Sequence, residues 1–300
     1  MEGILDISVF GAGVFAGYHA AKVAAHPRAR LAAIYDPDAD RARALAARYG
    51  TMATPRAEEA IRISDAVICA VPASYHKTVA VPALAAGKHV LIEKPLAATQ
   101  AGAEAIAAAA RHARTVVQVG HQERIVAELI GLHRIGERPR EVRITRHCGR
   151  VSRNLDVSVV MDLMIHDLDL LLALYGEPDW VATEAAQSRY SKALDSVRAE
   201  IGFRDFTAYV SASRDAEPDR RWTLRFEPGT VDVDFAAKTL RHDTPYGVNQ
   251  SFGLHPDAQD SLGAAFDRFV RACLDGDPPL ASVQDGLDAV RLAQRIEDDA

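Results

Sequence analysis

Asp162, His166 and Asp169 stand in a run that is otherwise almost wholly apolar, Met161 to Leu172. Read as a helix advancing about 100° per residue, the run places all three on one narrow stripe, within roughly 60° of each other. Leu, Met or Ile fills nearly every other direction. A helix apolar on most of its circumference belongs inside a protein, and charged groups are almost never buried there without partners. An imidazole is the natural base, since its unperturbed pKa is about 6.5 and a neighbouring carboxylate raises that value. Asp162, one turn before His166, is placed to be the carboxylate; as a plain helix pair the two would contribute only about 0.2–0.5 kcal/mol. Asp169 is open between a contact to a substrate hydroxyl and a bond to a backbone group or an arginine. Lys94 follows the apolar run His89 to Ile92 and Glu93, and precedes Pro95. Burial there favours the neutral amine, which makes it usable as an acid or base. A histidine, a carboxylate and a lysine can together take the proton of a hydroxyl and stabilise the alkoxide that develops.

The elements that must position these groups begin with Ile4 to Phe10, an apolar strand ending in Gly11-Ala12-Gly13-Val14-Phe15-Ala16-Gly17. An Ala-rich helix follows to about Ala25, and a second strand, Leu31 to Tyr35, is closed by Asp36. This is the order of a dinucleotide-binding unit. Gly11 allows the tight turn, Gly13 lets the backbone approach a pyrophosphate, and the helix start at Val14 and Phe15 offers N–H groups and a positive dipole end. Ala16 stands in the place of the third glycine. Asp36, 20 residues beyond Ala16, would accept hydrogen bonds from the adenosine ribose and repel a 2'-phosphate, so NAD is the expected cofactor. Arg41 keeps NADP open as the lesser alternative, and a turn or capping role is the competing reading of Asp36.

The alternation continues: strand Ala66 to Val71, helix Tyr75 to Ala86, strand His89 to Ile92, helix Thr99 to His112 and strand Thr115 to Val119. Strands alternating with helices predict a parallel sheet covered on both faces. Ligands of such sheets lie beyond the carboxyl ends of the strands, which makes Pro72, His76, Glu93, Lys94 and Gln122 candidate cofactor contacts and His121 a candidate substrate contact.

Past Val119 the grammar changes. A helix from Arg124 to Ile135, the strand Glu141 to His147, the polar segment Cys148 to Ser158 and the organising helix to Tyr175 come first. Six β-rich segments follow between Val181 and His242, then helices at Asp257–Leu274 and Ser282–Glu297. The predicted fold class is α/β, with an N-terminal Rossmann dinucleotide-binding domain and a C-terminal α+β domain carrying a mostly antiparallel open sheet. The boundary is drawn at 120/121: residues 1–120 for NAD(P), residues 121–300 for substrate binding. The loop Asp243 to Pro256, with Tyr246, is long and polar enough to be a binding loop, or simply a connection. Arg124, Arg150 and Arg153 are candidate substrate contacts should the ligand be a small anion, because a guanidinium can grip a phosphate bidentately.

Composition sets the outer limits. A formal net charge of -6 argues against nucleic acid as a partner. Three scattered cysteines, Cys69, Cys148 and Cys273, fit a reducing compartment, and no ligand spacing suggests a metal. No leader pattern is visible and no apolar run reaches the roughly 18–20 residues of a membrane span, so a cytoplasmic protein is expected.

The Gly11 to Ala16 loop, Glu93-Lys94-Pro95 and Asp162-x-x-x-His166, in this order, resemble the glucose-fructose oxidoreductase / inositol dehydrogenase (Gfo/Idh/MocA) family of NAD(P)-dependent enzymes across essentially the whole chain. The resemblance implies that Lys94, Asp162 and His166 surround the substrate carbon facing the nicotinamide, and that the second-domain sheet makes a homodimer or homotetramer. Val119-Gly120-His121-Gln122-Glu123-Arg124 and Asp162 to Asp169 are most similar to the branch that oxidises carbon 3 of UDP-N-acetylglucosamine on the way to diamino-sugar lipid A. Oxidation of another sugar or a polyol such as an inositol is the alternative; a cofactor-binding sensor or assembly protein is the reading from outside enzymology.

Overall fold

The computed structural model describes residues 3–149, 157–188 and 191–300. Its elements fall into two compact units, residues 1–122 with 262–287, and residues 123–261 with 288–300.

The first unit is built on six parallel strands: β1 (Leu5–Phe10), β2 (Ala29–Tyr35), β3 (Met52–Thr54), β4 (Ala66–Cys69), β5 (His89–Ile92) and β6 (Val117–Val119). Between them run α1 (Val14–Ala25), α2 (Ala39–Ala47), α3 (Ala57–Arg62), α4 (His76–Ala85) and α5 (Gln100–Ala113). The strand order is β3-β2-β1-β4-β5-β6, the doubly wound order in which the chain reverses direction across the sheet between β1 and β4. The central strand β4 is apolar along its whole length, with all four residues buried, as a sheet covered on both faces requires. Asp38 caps α2 by accepting from the backbone N–H groups of Asp40 and Arg41, and Thr99 caps α5 through Gly102 N–H. The short β3 and α3 were not read from the sequence.

The second unit comprises α6 (Glu123–Ile130), β7 (Glu141–His147), α7 (Ile165–Tyr175), β8 (Trp180–Gln187), β9 (Ser196–Phe203), β10 (Phe206–Ser213), β11 (Asp219–Arg225), β12 (Thr230–Asp234), β13 (Thr239–His242) and α8 (Pro256–Gln259). Its sheet has the order β13-β12-β11-β7-β10-β9-β8. Every pairing is antiparallel except β7 with β10. Residues alternate strictly along β7, with Val142, Ile144 and Arg146 buried and Arg143 exposed between them. The other face is therefore the polar one. At its β8 edge Gly202 leaves room for the Trp180 indole, which a Cβ there would overlap at 2.0 Å.

Two further helices end the chain, α9 (Ser261–Asp275) and α10 (Val283–Asp298). The sequence reading gave everything beyond residue 120 to the second domain, whereas residues 262–287 group with the first unit. The cause is the apolar stripe Ala265, Phe266, Phe269 and Val270 of α9, of which the last three join Ile7, Val9, Ala20 and Val23 in one core. Gln118 stitches the same return segment to β6: its amide donates to Ala265 O at 2.8 Å and its oxygen accepts from Leu280 N–H at 3.0 Å. The helix predicted from Asp257 is interrupted at Asp260, whose ψ of 65° breaks α8 from α9. The helix expected to reach Ile135 stops at Gly131, whose φ is +86°, a conformation that favours glycine.

Candidate active site

Gly11 ends β1 with φ +108°, and a Cβ there would lie 2.7 Å from the Ala70 carbonyl oxygen at the end of β4. Only glycine lets the two strand ends approach so closely at the reversal point of the sheet. The following residue, Ala12, donates its N–H to Asp36 Oδ2 at 2.8 Å, while Asp36 Oδ1 accepts from Asp38 N–H at 3.0 Å. Asp36 therefore ties the end of β2 to the glycine turn, and a carboxylate with about four acceptor sites retains capacity for ribose hydroxyls. Gly13 precedes α1, and among the described residues no side chain caps that end. Ala16 is fully buried in the core, while Val14 is exposed at 63% and Phe15 is half-buried. A bare cradle, a helix start with a positive dipole end, an exposed apolar residue and a buried acid fit a dinucleotide: pyrophosphate over Gly11–Phe15, ribose at Asp36. Arg41 lies close by, its Nη2 3.7 Å from the position of a Cβ on Gly13.

Beyond β5 the chain turns through Glu93-Lys94-Pro95, with a cis bond between Lys94 and Pro95. Lys94 is half-buried. Glu93 and His76, expected among the cofactor contacts, are instead turned into the protein, at 7% and 1% exposure. Glu93 Oε1 lies 2.7 Å from Nε2 of His19 on α1. Burial pushes the Glu93 carboxyl up, but the His19 hydrogen bond, with the Lys94 charge nearby, outweighs it and holds the group below the ordinary Glu range. His76 Nδ1 is 2.9 Å from Pro95 O and Nε2 is 3.0 Å from Val71 O. Burial holds this imidazole below the usual His value, and a neutral ring donates to one of the two carbonyls. Pro72 is exposed, Gln122 half-buried and His121 buried at 1%. They occupy the ends of β4 and β6.

In the second unit the organising helix departs from the expected wheel. Val160–Met164 form a π turn, with Ile165 N–H bonded to Val160 O, before α7 begins. The 100° spacing does not hold across this turn, and π turns of this kind are frequent at functional sites. Asp162 lies within it, buried at 6%, and His166 is half-buried in the first turn of α7. Ser158 caps the turn by accepting from the N–H groups of Val160 and Met161. Arg214, 2% exposed just past β10, places Nη2 3.9 Å from Asp162 Oδ2 and Nη1 3.9 Å from Asp195 Oδ1, and donates to Val157 O.

Asp169 bonds an arginine. Arg124 Nε and Nη2 donate to its two oxygens at 2.8 and 2.7 Å, with Asp169 only 1% exposed. The same bond engages one edge of the Arg124 guanidinium within the unit. The sequence reading passed over Asp167, which is fully buried and accepts from Arg146 Nε and Nη2 at 2.6 and 2.9 Å and from Trp222 Nε1 at 2.8 Å. Glu123 completes the cluster by accepting from Arg146 and Arg220. Burial opposes the Arg146 charge, but Asp167 and Glu123 outweigh it and raise the guanidinium pKa. This cluster clamps α7 to β7, β11 and α6, and so holds the backbone that carries His166. The visible signal was an acid inside an apolar run; its partners lie 21 and 55 residues away.

Tyr246 donates its hydroxyl to Glu137 at 2.6 Å and packs on Phe226. Desolvation and the Glu137 carboxylate push its phenol up to about 12. Arg150 and Arg153 lie outside the described residues. Among the described residues no group of three or more His, Cys, Asp or Glu could hold a metal ion, and no helix is long and apolar enough to cross a membrane.

Residues 5–121 match a family model described as an oxidoreductase family with an NAD-binding Rossmann fold, and residues 125–232 match the GFO/IDH/MocA C-terminal domain. The UDP-N-acetylglucosamine 3-dehydrogenase of Acidithiobacillus ferrooxidans is 34% identical over 275 residues, covering 88% of this chain and 87% of that protein. An inositol 2-dehydrogenase of Leifsonia xyli subsp. xyli is 32% identical over 301 residues, covering 90% and 84%. A solved structure of the Acidithiobacillus ferrooxidans enzyme superposes with a TM-score of 0.88 and 30% identity, over 99% of this chain and 98% of that one. The chain belongs to the GFO/IDH/MocA family of NAD-binding oxidoreductases and is a dehydrogenase.

Proposed function

We propose that this dehydrogenase oxidises a secondary hydroxyl of a sugar nucleotide, at carbon 3 of UDP-N-acetylglucosamine, to give the 3-keto sugar nucleotide. The observation that carries the substrate is the 34% identity to a UDP-N-acetylglucosamine 3-dehydrogenase along nearly the full length of both chains. Gly11, Gly13, Val14, Phe15, Asp36, Pro72 and Gln122 would hold NAD, with Glu93 and His76 supporting the strand ends behind them. When bound, its nicotinamide supplies the acceptor for the hydride.

The chain's own residues do the proton chemistry. His166 takes the hydroxyl proton, and Asp162 stabilises the imidazolium that results. Lys94 stabilises the developing alkoxide or shares the proton, so an apparent pKa of activity belongs to the group and not to one member. His121 and Tyr246 are further substrate contacts in this proposal, together with Arg150 and Arg153 for the diphosphate. Arg124 shapes that region through Asp169.

The assay is reduction of NAD, followed as NADH, with UDP-N-acetylglucosamine compared against free sugars and inositols. Turnover of the sugar nucleotide supports the proposal, and its absence defeats it. Oxidation of an inositol ring is the second reading, favoured by the 32% identity to an inositol 2-dehydrogenase; preferential turnover of inositols would establish it instead. We also propose a homodimer or homotetramer formed through the polar face of the second-unit sheet. Light scattering that shows only monomer at micromolar concentration would contradict it.

A further inference from the structure

We propose that His19 and Glu93 are positioning residues for Lys94, a buried pair that fixes the Glu93-Lys94-Pro95 turn and keeps a negative charge beside the lysine. The inference rests on Lys94 acting at the substrate hydroxyl.

Glu93 is pinned from several sides. Its backbone N–H bonds Cys69 O at 3.0 Å, its carboxylate accepts from His19 at 2.7 Å, and a Cβ on Gly120 would stand 3.1 Å from Oε2. Glycine at 120 thus leaves the space that the carboxylate occupies at the end of β6. The far side of the turn is held by His76, which sits between the carbonyls of Pro95 and Val71. Lys94 is the residue between these two anchors.

A buried carboxylate is seldom the cheapest way to fill a core, since apolar residues of similar volume often match or exceed the stability of a buried charged group and its partner. Its retention here is explained by what the charge does to its neighbour. The groups that face Glu93 are His19 from α1, His76 from α4, Cys69 from β4 and Lys94 itself. Burial raises the Cys69 thiol and keeps it protonated, so Glu93 supplies the negative charge of the cluster. His19 Nδ1 is buried with no hydrogen-bond partner among the described residues, which suits the tautomer whose Nε2–H points at Glu93. Removing that donor leaves burial to raise the Glu93 carboxyl. The carboxyl then takes a proton at higher pH, and Lys94 loses its neighbouring charge.

The test compares wild type, His19→Leu, His19→Gln and Glu93→Gln as full chains, on whichever sugar substrate the wild type oxidises. A glutamine amide can replace the Nε2–H donor, whereas leucine cannot. His19→Leu is expected to lower kcat about tenfold and to move the acid limb of the kcat profile up by about one pH unit. His19→Gln should return most of both changes, and Glu93→Gln should lower kcat and remove that limb's response. NADH affinity, read by its fluorescence on binding, should change by less than about threefold in each. Wild-type pH profiles in all variants, or losses in kcat matched by losses in NADH affinity, would overturn the proposal. A wild type inactive on every sugar defeats the assigned reaction separately. In that case the Glu93 carboxyl is followed by 13C NMR, and titration at the same pH in wild type and His19→Leu overturns the pairing.

Discussion

Asp167→Ala should be among the most destabilising single substitutions in the second unit. The carboxylate is fully buried and accepts three hydrogen bonds, two from Arg146 and one from Trp222. Arg146 is itself only 5% exposed, and a guanidinium cannot shed its charge to escape burial. Breaking such a pair costs about 3–5 kcal/mol, a range that already contains the penalty for an orphaned donor, about 1–3 kcal/mol. Glu123 still accepts from Arg146 at 3.3 Å, so the loss should fall near the lower end, about 3 kcal/mol. Asp167→Asn should be intermediate: its oxygen can still accept from Arg146 Nη2 and Trp222, while its amide opposes Arg146 Nε–H. The double variant Arg146→Met/Asp167→Leu should recover at least about 1 kcal/mol relative to Asp167→Ala, because it removes both charges of the pair, leaves the Trp222 donor unsatisfied and leaves Glu123 with Arg220 as its partner. Urea denaturation monitored by tryptophan fluorescence and circular dichroism measures each value. A loss below about 1 kcal/mol for Asp167→Ala, or a double variant no better than the single, would refute the assignment of this cluster as the clamp on α7.

Three more outcomes follow from the geometry. Gly11→Ala should weaken NAD binding by about tenfold or more, because its positive φ costs a side chain about 1–2 kcal/mol and the Cβ meets the Ala70 carbonyl; calorimetric titration with NAD measures it. Glu93 has a depressed folded pKa, so its stabilising contribution is present above the unfolded value of about 4.3 and is lost as pH falls below that value through the folded one. The stability difference between wild type and Glu93→Gln should accordingly be constant near neutrality and shrink in acid, as chemical denaturation at a series of pH values would show. Asp169→Ala should raise KM for the sugar substrate more than it lowers kcat, since the Arg124 guanidinium loses the carboxylate that orients it; steady-state kinetics read the split.

Much of the first unit is visible in its sequence because its signals are local. Gly11, Gly13 and Ala16 follow a strand and open a helix, and Asp36 closes the next strand. Each signal needs only a few neighbouring residues to be recognised. Asp162 and His166 were legible as candidates for the same reason, as two polar residues in an apolar run, but the π turn at Val160–Met164 was not. An extra residue in a helical turn leaves the apolar pattern intact and changes only the phase. What escaped sequence reasoning depends on partners far away in the chain. His19 is one of several unremarkable residues on α1 until Glu93, 74 positions on, is brought against it. Arg214 and Asp167 likewise carry no motif, and their burial appears only when the sheet is assembled. The return of α9 to the first unit was missed because an amphipathic stripe states that a helix packs, not on which core.

The most direct test of the central claim is the fate of the hydrogen on carbon 3. UDP-N-acetylglucosamine carrying deuterium at that carbon is incubated with the enzyme and unlabelled NAD, and the reduced cofactor is analysed by mass spectrometry. The account predicts deuterium in the reduced cofactor and a 3-keto sugar nucleotide in equal amount, with both abolished in Lys94→Ala and strongly reduced in His166→Ala. Unlabelled reduced cofactor, no reduction at all, or full transfer by the two variants would contradict it.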